Sequence, residues 1–338
     1  MKAYGPGIAD LEYVMQETIK DMIDDIHQKD SHVIDAAELS TGYVCCVIAS
    51  MMFGEKYSYD DEVCQKINEM SERLVEGTVP LSSGAVLDAL PFLFHFKFLF
   101  RDTHRKLEVA RGVVNDFIKT RIDEAKVVIC LNRFTIQALG LETSGRSLRQ
   151  IFLDLLHDPT LQKRLQAEID SQFELTHTIT LKDKDKLPQV ESYVLEHFRY
   201  LTQLPFLVPH MTIRDTAVSG YKVPANTFVL MNSYYIAHNP EAYEDPFTVK
   251  PDRFLDATGQ LVDRDHPLRQ NFLGFGSGRR GCPGEVLAKS RIFLFLANIL
   301  QNFTVKLAGE LPSRDVRKYP MSLLLTPPSV KVQFIRRQ

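Results

Sequence analysis

FLGFGSGRRGCPGEVLA, from Phe272 to Ala288, gathers Phe275, Gly276, Gly278, Arg280, Gly281 and Gly284 around one cysteine, Cys282, and runs straight into an apolar stretch. Glycines let a backbone adopt positive φ and pass close to a flat ligand. A cysteine just before a helix sits where backbone N–H groups stabilise an anionic sulfur. A thiolate of that kind is one of the proteinaceous ligands that hold haem iron, and it favours O–O cleavage. Arg280, two residues earlier, is placed to pair with an anionic edge such as a haem propionate. Two other readings compete on the loop alone. A Gly-rich loop before a helix also cradles phosphate, and Gly276 to Gly281 has GxGxxG spacing, but the Gly-Lys-Ser/Thr ending of a nucleotide loop is absent. A lone cysteine in a Gly-rich turn is also commonly a simple buried residue.

Working outward, the chain predicts a mostly helical protein with a minor β component. Glu285 to Asn302 is a strongly apolar helix. Leu148, Ile151, Phe152, Leu155 and Leu156 follow the i, i+3, i+4 pattern of an amphipathic helix. Asp158-Pro159 stops it and starts another, with Asp158 capping and Pro159 at the first position. Leu161, Leu165 and Ile169 mark the buried stripe of that helix, and a further helix covers Gln189 to Leu201. Thr212–Val218 and Thr227–Met231 read as short strands, separated by Gly220-Tyr221 and Pro224-Ala225-Asn226. Pro240 to Phe272 is a long polar connection, and short strands close the chain. The stretch before about Lys126 reads as a helical scaffold, with Leu11, Val14, Met15 and Ile19 on one face and Leu107, Ala110, Val114 and Phe117 on another. Pro80 to Gly84 interrupts it, and no chemistry-bearing cluster stands out there. The sequence predicts one domain over 1–338, mainly helical over 1–203, with short strands, a meander, the cysteine loop and its helix over 204–338.

Composition narrows the function. The 338 residues carry a formal net charge of −3 and are 44% hydrophobic, which makes no electrostatic case for nucleic-acid binding. The five cysteines are odd in number and lack CxxC spacing, against both a disulfide scaffold and a structural zinc site. No run reaches the ~20 apolar residues of a bilayer span, and Met1 opens no secretory leader.

Phe275-x-x-Gly278-x-Arg280-x-Cys282-x-Gly284 resembles the full haem-binding signature of the cytochrome P450 family. Glu196-His197-Phe198-Arg199 resembles its Glu-x-x-Arg motif, and Pro251-Asp252-Arg253-Phe254 its Pro-x-Arg-Phe element. Leu139-Gly140-Leu141-Glu142-Thr143-Ser144 resembles the oxygen-activation motif of its central helix, departing from it at Leu139. The Gly145-Arg146 pair that follows looks foreign to an apolar cofactor helix. LVPH at Leu207–His210, AHNPEAYEDP at Ala237–Pro246 and FLFLANILQNF at Phe293–Phe303 look most like the microsomal steroid 17-alpha-hydroxylase branch and its relatives.

The resemblance implies the cytochrome P450 fold, incomplete at the N-terminus, and haem b with Cys282 as the axial thiolate. Phe275, Gly276, Gly284, Arg280 and His210 would complete the cofactor site. Glu142 and Thr143 would deliver protons. Glu196, Arg199 and Arg253 would form a structural triad, and Leu139, Leu204, Pro205, Phe206 and Leu207 would line the substrate pocket. The activity implied is a monooxygenase that takes dioxygen, a lipophilic and steroid-like substrate, and electrons from NADPH through a reductase partner. It would work on the cytosolic face of the endoplasmic reticulum membrane. The family's N-terminal anchor, its proline-rich hinge and an early helix that grips the propionates have no counterpart in the sequence, and the span between Phe117 and Leu139 is short. A truncated, non-catalytic haem binder is therefore the alternative. A haem-thiolate isomerase or dehydratase is a third reading, disfavoured because the acid–alcohol pair is retained.

Overall fold

The computed structural model describes residues 8–28, 32–53, 55–58, 61, 64–65, 130–320 and 324–337. The chain is mostly α with a minor sheet component. Its main elements are α1 (Ile8–Gln28), β1 (Val33–Asp35), α2 (Ala36–Phe53), α3 (Cys130–His157), α4 (Pro159–Gln172) and α5 (Pro188–Leu201). They are followed by β2 (His210–Met211), β3 (Thr216–Val218), β4 (Tyr221–Val223), β5 (Phe228–Val229), α6 (Ser233–Ala237), α7 (Pro267–Gln270), α8 (Glu285–Asn302), β6 (Phe303–Leu307) and β7 (Lys331–Arg336).

The core forms around α8. All residues from Ser290 to Gln301 are buried, as expected for a helix that is apolar on every side. It packs against α1, α3, α4 and α5. Met15 and Ile19 of α1 are buried in the same core, with Leu11 and Val14 at its margin. Leu148, Ile151, Phe152 and Leu155 of α3 are buried in it too, with Leu156 packed against it. The boundary at Asp158 forms by the expected chemistry. Its carboxylate accepts from the amides of Thr160 and Leu161, both at 3.0 Å, and Pro159 opens α4. The second helix predicted near Leu107 to Phe117, the interruption at Pro80 to Gly84 and the span between Phe117 and Cys130 lie outside the described residues.

A three-stranded antiparallel sheet, in the order β1-β7-β6, backs the helices. The helix–sheet seam is held by an amide that imitates a strand: Gln162 Nε2 donates to the Val305 carbonyl at 3.0 Å while its Oε1 accepts from the Val305 amide at 2.7 Å. Both ends are buried, so these bonds satisfy groups that would otherwise be costly to bury.

The strands after Pro205 differ from the expected pair. Thr216–Val218 pairs with Tyr221–Val223, and His210–Met211 pairs with Phe228–Val229. Gly220-Tyr221 is thus not a separator. Ser219 (φ 49°) and Gly220 (φ 85°) form the two-residue turn of a tight hairpin, the geometry that matches strand twist. Of the predicted run Thr212–Val218 only Thr216–Val218 is strand, and the Asp215 carboxylate just ahead of it accepts from the Ala225 amide at 2.8 Å. Within Pro240 to Phe272, Pro251–Phe254 forms a 3-10 turn and Pro267–Gln270 a short helix, each opened by its proline.

His238 shows how tightly the 234–247 region is packed. Its ring stacks on Phe247 at 4.8 Å, and its two nitrogens lie 2.9 Å and 3.1 Å from the carbonyl oxygens of Tyr234 and Tyr200. Burial pushes its pKa down to about 4, against the pull of the Tyr234 carbonyl and aided by Arg199. The native ring therefore excludes a proton that the unfolded chain takes up below its ordinary 6.5. Stability is expected to fall as pH drops from 6.5 towards about 4, because the unfolded state binds more protons across that window. Urea unfolding of the protein and of His238→Gln over that range should show the pH-dependent difference converging at low pH; parallel curves would refute it.

Candidate haem site

The loop ahead of α8 is organised by its own backbone. The Gly276 amide donates to the Leu273 carbonyl at 2.8 Å, and the Cys282 amide to the Phe275 carbonyl at 2.7 Å. Gly276 (φ 73°) and Gly278 (φ 67°) adopt the left-handed conformation that this path needs. A Cβ on Gly276 would also stand 3.5 Å from the Gly281 Cα and 4.0 Å from Leu207 Cδ1, so the loop and the Leu204–Leu207 segment meet at this glycine. Phe275 is clamped edge-on by Phe198 at 5.0 Å and Phe272 at 6.0 Å, and the Lys289 ammonium lies 5.2 Å from its ring centroid.

Cys282 is exposed. Burial of its sulfur nevertheless pushes the thiol up, with the Glu285 carboxylate adding to the rise, while the amides of Gly284 and Glu285 pull it down. Backbone amides at a helix start favour an anionic sulfur. Val286, in the first turn of α8, is 59% exposed, and Phe206 and Val208, flanking Leu207, are 43% and 68% exposed. An exposed thiol just ahead of a helix, with apolar Val286 uncovered in that helix's first turn, fits a flat apolar macrocycle that carries a metal. Arg280 and His210 are both exposed, His210 on β2 opposite Val229.

Glu196 is completely buried and accepts from two guanidinium groups. Arg199 grips it bidentately, Nε to Oε2 and Nη2 to Oε1, both at 2.7 Å. Arg253 Nε reaches Oε2 at 3.1 Å, and the Lys250 amide donates to Oε1 at 2.9 Å. Arg199 Nη1 spends its remaining donors on the carbonyls of Ala237 and Pro246, at 2.8 Å and 2.9 Å. Arg253 Nη1 donates to Glu244 O at 3.0 Å. The three charges are thus hydrogen-bonded on nearly every side, the condition under which a buried ion cluster is tolerated. They tie α5 to the 237–253 connection.

On α3, Leu139 lies one residue ahead of the described side chains, and Glu142 is buried and paired. Arg146 Nη2 lies 2.9 Å and its Nε 3.0 Å from Glu142 Oε2, and Arg146 Nη1 donates to Thr326 Oγ1 at 2.6 Å. Thr143 is half-buried beside the pair. The residues that looked foreign to this helix have a physical reason. A Cβ on Gly145 would stand 3.6 Å from Thr41 Oγ1 of α2, and Arg146 spans from the helix to the C-terminal segment. Leu204 is half-buried, Pro205 and Leu207 are buried and Phe206 is exposed. The segment is held by Leu207 N donating to Met231 O at 3.0 Å and Tyr234 N to Pro205 O at 3.1 Å. Sequence reasoning passed over two residues of this region. Phe198 shows only as an aromatic inside the Glu-x-x-Arg motif, and Arg146 only as a misfit.

Glu196→Gln leaves two guanidinium groups without their carboxylate, and breaking such a buried pair costs about 3–5 kcal/mol. Equilibrium urea unfolding should register a loss of that order, whereas a loss below about 1 kcal/mol, the range of exposed ion pairs, would show that the triad does not brace this region.

A sequence model described as Cytochrome P450 matches residues 1–133 and 129–334. The two matched segments meet inside the stretch between Phe117 and Leu139 that is short for the resemblance. A cytochrome P450 1A1 of Platichthys flesus is 32% identical over 289 aligned positions, covering 76% of this chain and 54% of that relative. A cytochrome P450 1A2 of Homo sapiens is 38% identical over 180 positions, 53% of this chain and 34% of the relative. A cytochrome P450 2B4 of Oryctolagus cuniculus is 26% identical over 372 positions, 100% of this chain and 73% of the relative. The chain spans about half the length, 54%, of several curated cytochrome P450 1A1 relatives it matches. The family implies haem with an axial cysteine thiolate, and a match that runs through nearly the whole sequence, over a loop shaped around one cysteine, places this chain in the cytochrome P450 family.

Proposed function

We propose that the chain is a haem-thiolate monooxygenase that inserts one oxygen atom from dioxygen into a lipophilic substrate. The observation that carries this reading is Cys282, exposed just ahead of α8 on a loop whose path is set by Gly276 and Gly278 at positive φ and by the Cys282 amide on the Phe275 carbonyl. Bound haem supplies the iron at which dioxygen is reduced and split.

In this reading Cys282 would hold the haem iron through its sulfur, as a thiolate. Gly276 and Gly284 keep the backbone low enough for close approach, Phe275 packs the loop onto α5, and Arg280 and His210 pair with the propionates. Glu196, Arg199 and Arg253 are positioning residues that hold the region beneath the cofactor. Thr143 would hold a proton at Oγ1, and Glu142, ion-paired with Arg146, would accept a proton and pass it on, the acid–alcohol arrangement suited to a relay. Arg146 fixes where the Glu142 carboxylate stands. Leu139, Leu204, Pro205, Phe206 and Leu207 form the apolar wall for the substrate.

The electrons would come from NADPH through a separate reductase, and the site of action would be the cytosolic face of the endoplasmic reticulum membrane. Among the described residues no helix is long and apolar enough to cross a membrane. A steroid-like substrate rests on the three stretches that resemble the 17-alpha-hydroxylase branch, whereas the relatives compared carry 1A and 2B names.

The test is spectroscopic. The protein is loaded with haem, reduced with dithionite and exposed to carbon monoxide. A Soret band at the thiolate position is expected, and Cys282→Ala should abolish it. A band of histidine or protonated-thiol type, or no haem uptake at all, would overturn the reading and leave the non-catalytic alternative. Substrate turnover that requires NADPH and reductase then separates a monooxygenase from an isomerase or dehydratase.

A further inference from the structure

The stretch before Lys126, which reads as plain scaffold in sequence, contains a cluster of three free thiols. Cys45 and Cys46 are consecutive on α2, and Cys64 comes back to them from 18 residues beyond Cys46. Cys45 Sγ donates to the Cys64 carbonyl at 3.0 Å, and Cys46 Sγ lies 3.8 Å from Cys64 Sγ. All three are buried, Cys46 completely and Cys64 at 3% exposure.

We propose that Cys46 and Cys64 form a reversible disulfide when the protein meets a peroxide. The geometry selects this pair over the other two. Consecutive residues on a helix do not face each other, so a Cys45–Cys46 bridge would have to break α2. Cys45 is turned to the backbone of Cys64 rather than to its sulfur and acts as an anchor. Among the described residues, the sulfurs of Cys46 and Cys64 lie against one another, and closing from 3.8 Å to the ~2.05 Å of a disulfide is within reach of side-chain rotation.

The chemistry balances in two steps. The Cys64 sulfur attacks the peroxide oxygen, the O–O bond breaks, and for hydrogen peroxide a sulfenic acid and one water form. The Cys46 sulfur then attacks that sulfenyl sulfur, the S–O bond breaks, and a second water leaves with the Cys46 proton. The peroxide takes up two electrons, one from each sulfur. The opposite order, with Cys46 attacking first, balances in the same way.

Described residues near Cys64 reach solvent: Glu55, Lys56, Ser58 and Gln65 are exposed, and Asp61 is half-buried. Lys56 is held to α1 through its exposed ammonium, against Asp21 at 2.7 Å and Glu17 at 3.5 Å, the class of ion pair that holds least firmly. The consequence is carried by α2, which lies along α3: Ile48 stands 3.9 Å from the Cβ position of Gly140, and Arg149 donates to Thr41 Oγ1 at 3.2 Å. A bond at Cys46 would tie Cys64 to α2, the helix that lies along the α3 residues Glu142 and Thr143.

The test uses the folded chain, treated with hydrogen peroxide, blocked with iodoacetamide in denaturant, digested and mapped by mass spectrometry. The expected product is a Cys46–Cys64 linked peptide that disappears with dithiothreitol, forms in Cys45→Ser and is lost in Cys46→Ser. Circular dichroism checks that the variants fold, and the untreated and treated parent chains decide the matter without them. Oxidation of exposed Cys282 while Cys46 and Cys64 stay reduced would overturn the proposal, since the oxidant would have reached the protein and left the pair untouched. A Cys45–Cys64 link, or a link that forms only in denaturant, would overturn it as well.

Discussion

One buried carboxylate organises the half of the molecule that holds the candidate haem site. Glu196 lies in the core with no water to solvate it, so its charge must be met by donors fixed in space. Arg199, Arg253 and the Lys250 amide supply them. Each guanidinium has more N–H groups than Glu196 can accept, and the surplus goes to the carbonyls of Ala237, Pro246 and Glu244. A long connection with little regular structure thereby acquires a fixed path. The requirement runs both ways: the carboxylate is tolerable because the connection folds over it, and the charges help to hold the connection in place.

The cysteine loop inherits that rigidity. Phe198, between Glu196 and Arg199, points away from the ion cluster and into the loop, where its ring clamps Phe275. Phe275 in turn receives the Cys282 amide on its carbonyl. Three covalently remote pieces, α5, the 237–253 connection and the loop before α8, are thus coupled through two neighbouring side chains of one helix. The sulfur of Cys282 is aimed by this chain of contacts and by the helix that starts behind it.

The central helix shows a second, local version of the same constraint. Glu142 and Arg146 are buried one turn apart, and the arginine has donors left over, which it sends to Thr326. A pair that would be worth a few tenths of a kcal/mol on an exposed helix becomes in the core a tertiary tie between α3 and the C-terminal segment.

Much of this was legible in the chain, and unevenly so for physical reasons. Asp158-Pro159, the apolar run of α8 and the glycines around Cys282 act locally: a cap, a helix apolar on every side and a positive-φ turn depend on residues within a few positions, and each formed as read. Glu196, Arg199 and Arg253 could be grouped only through the family resemblance, because three-residue spacing on a helix does not say whether a pair is solvated or buried. The strands after Pro205 were misplaced because two- and three-residue strands carry too few side chains for a period to show. Arg146, Phe198 and the Cys45, Cys46 and Cys64 group went unrecognised as a set for a common reason: their partners lie far along the chain, or become meaningful only once water is excluded. The sequence by itself determined the helix content, the boundaries marked by proline and glycine, and the cysteine placed ahead of an apolar helix. Only the tertiary structure decided which charges are buried together and which thiols touch, because burial and long-range proximity are properties of packing, and no window of neighbouring residues contains them.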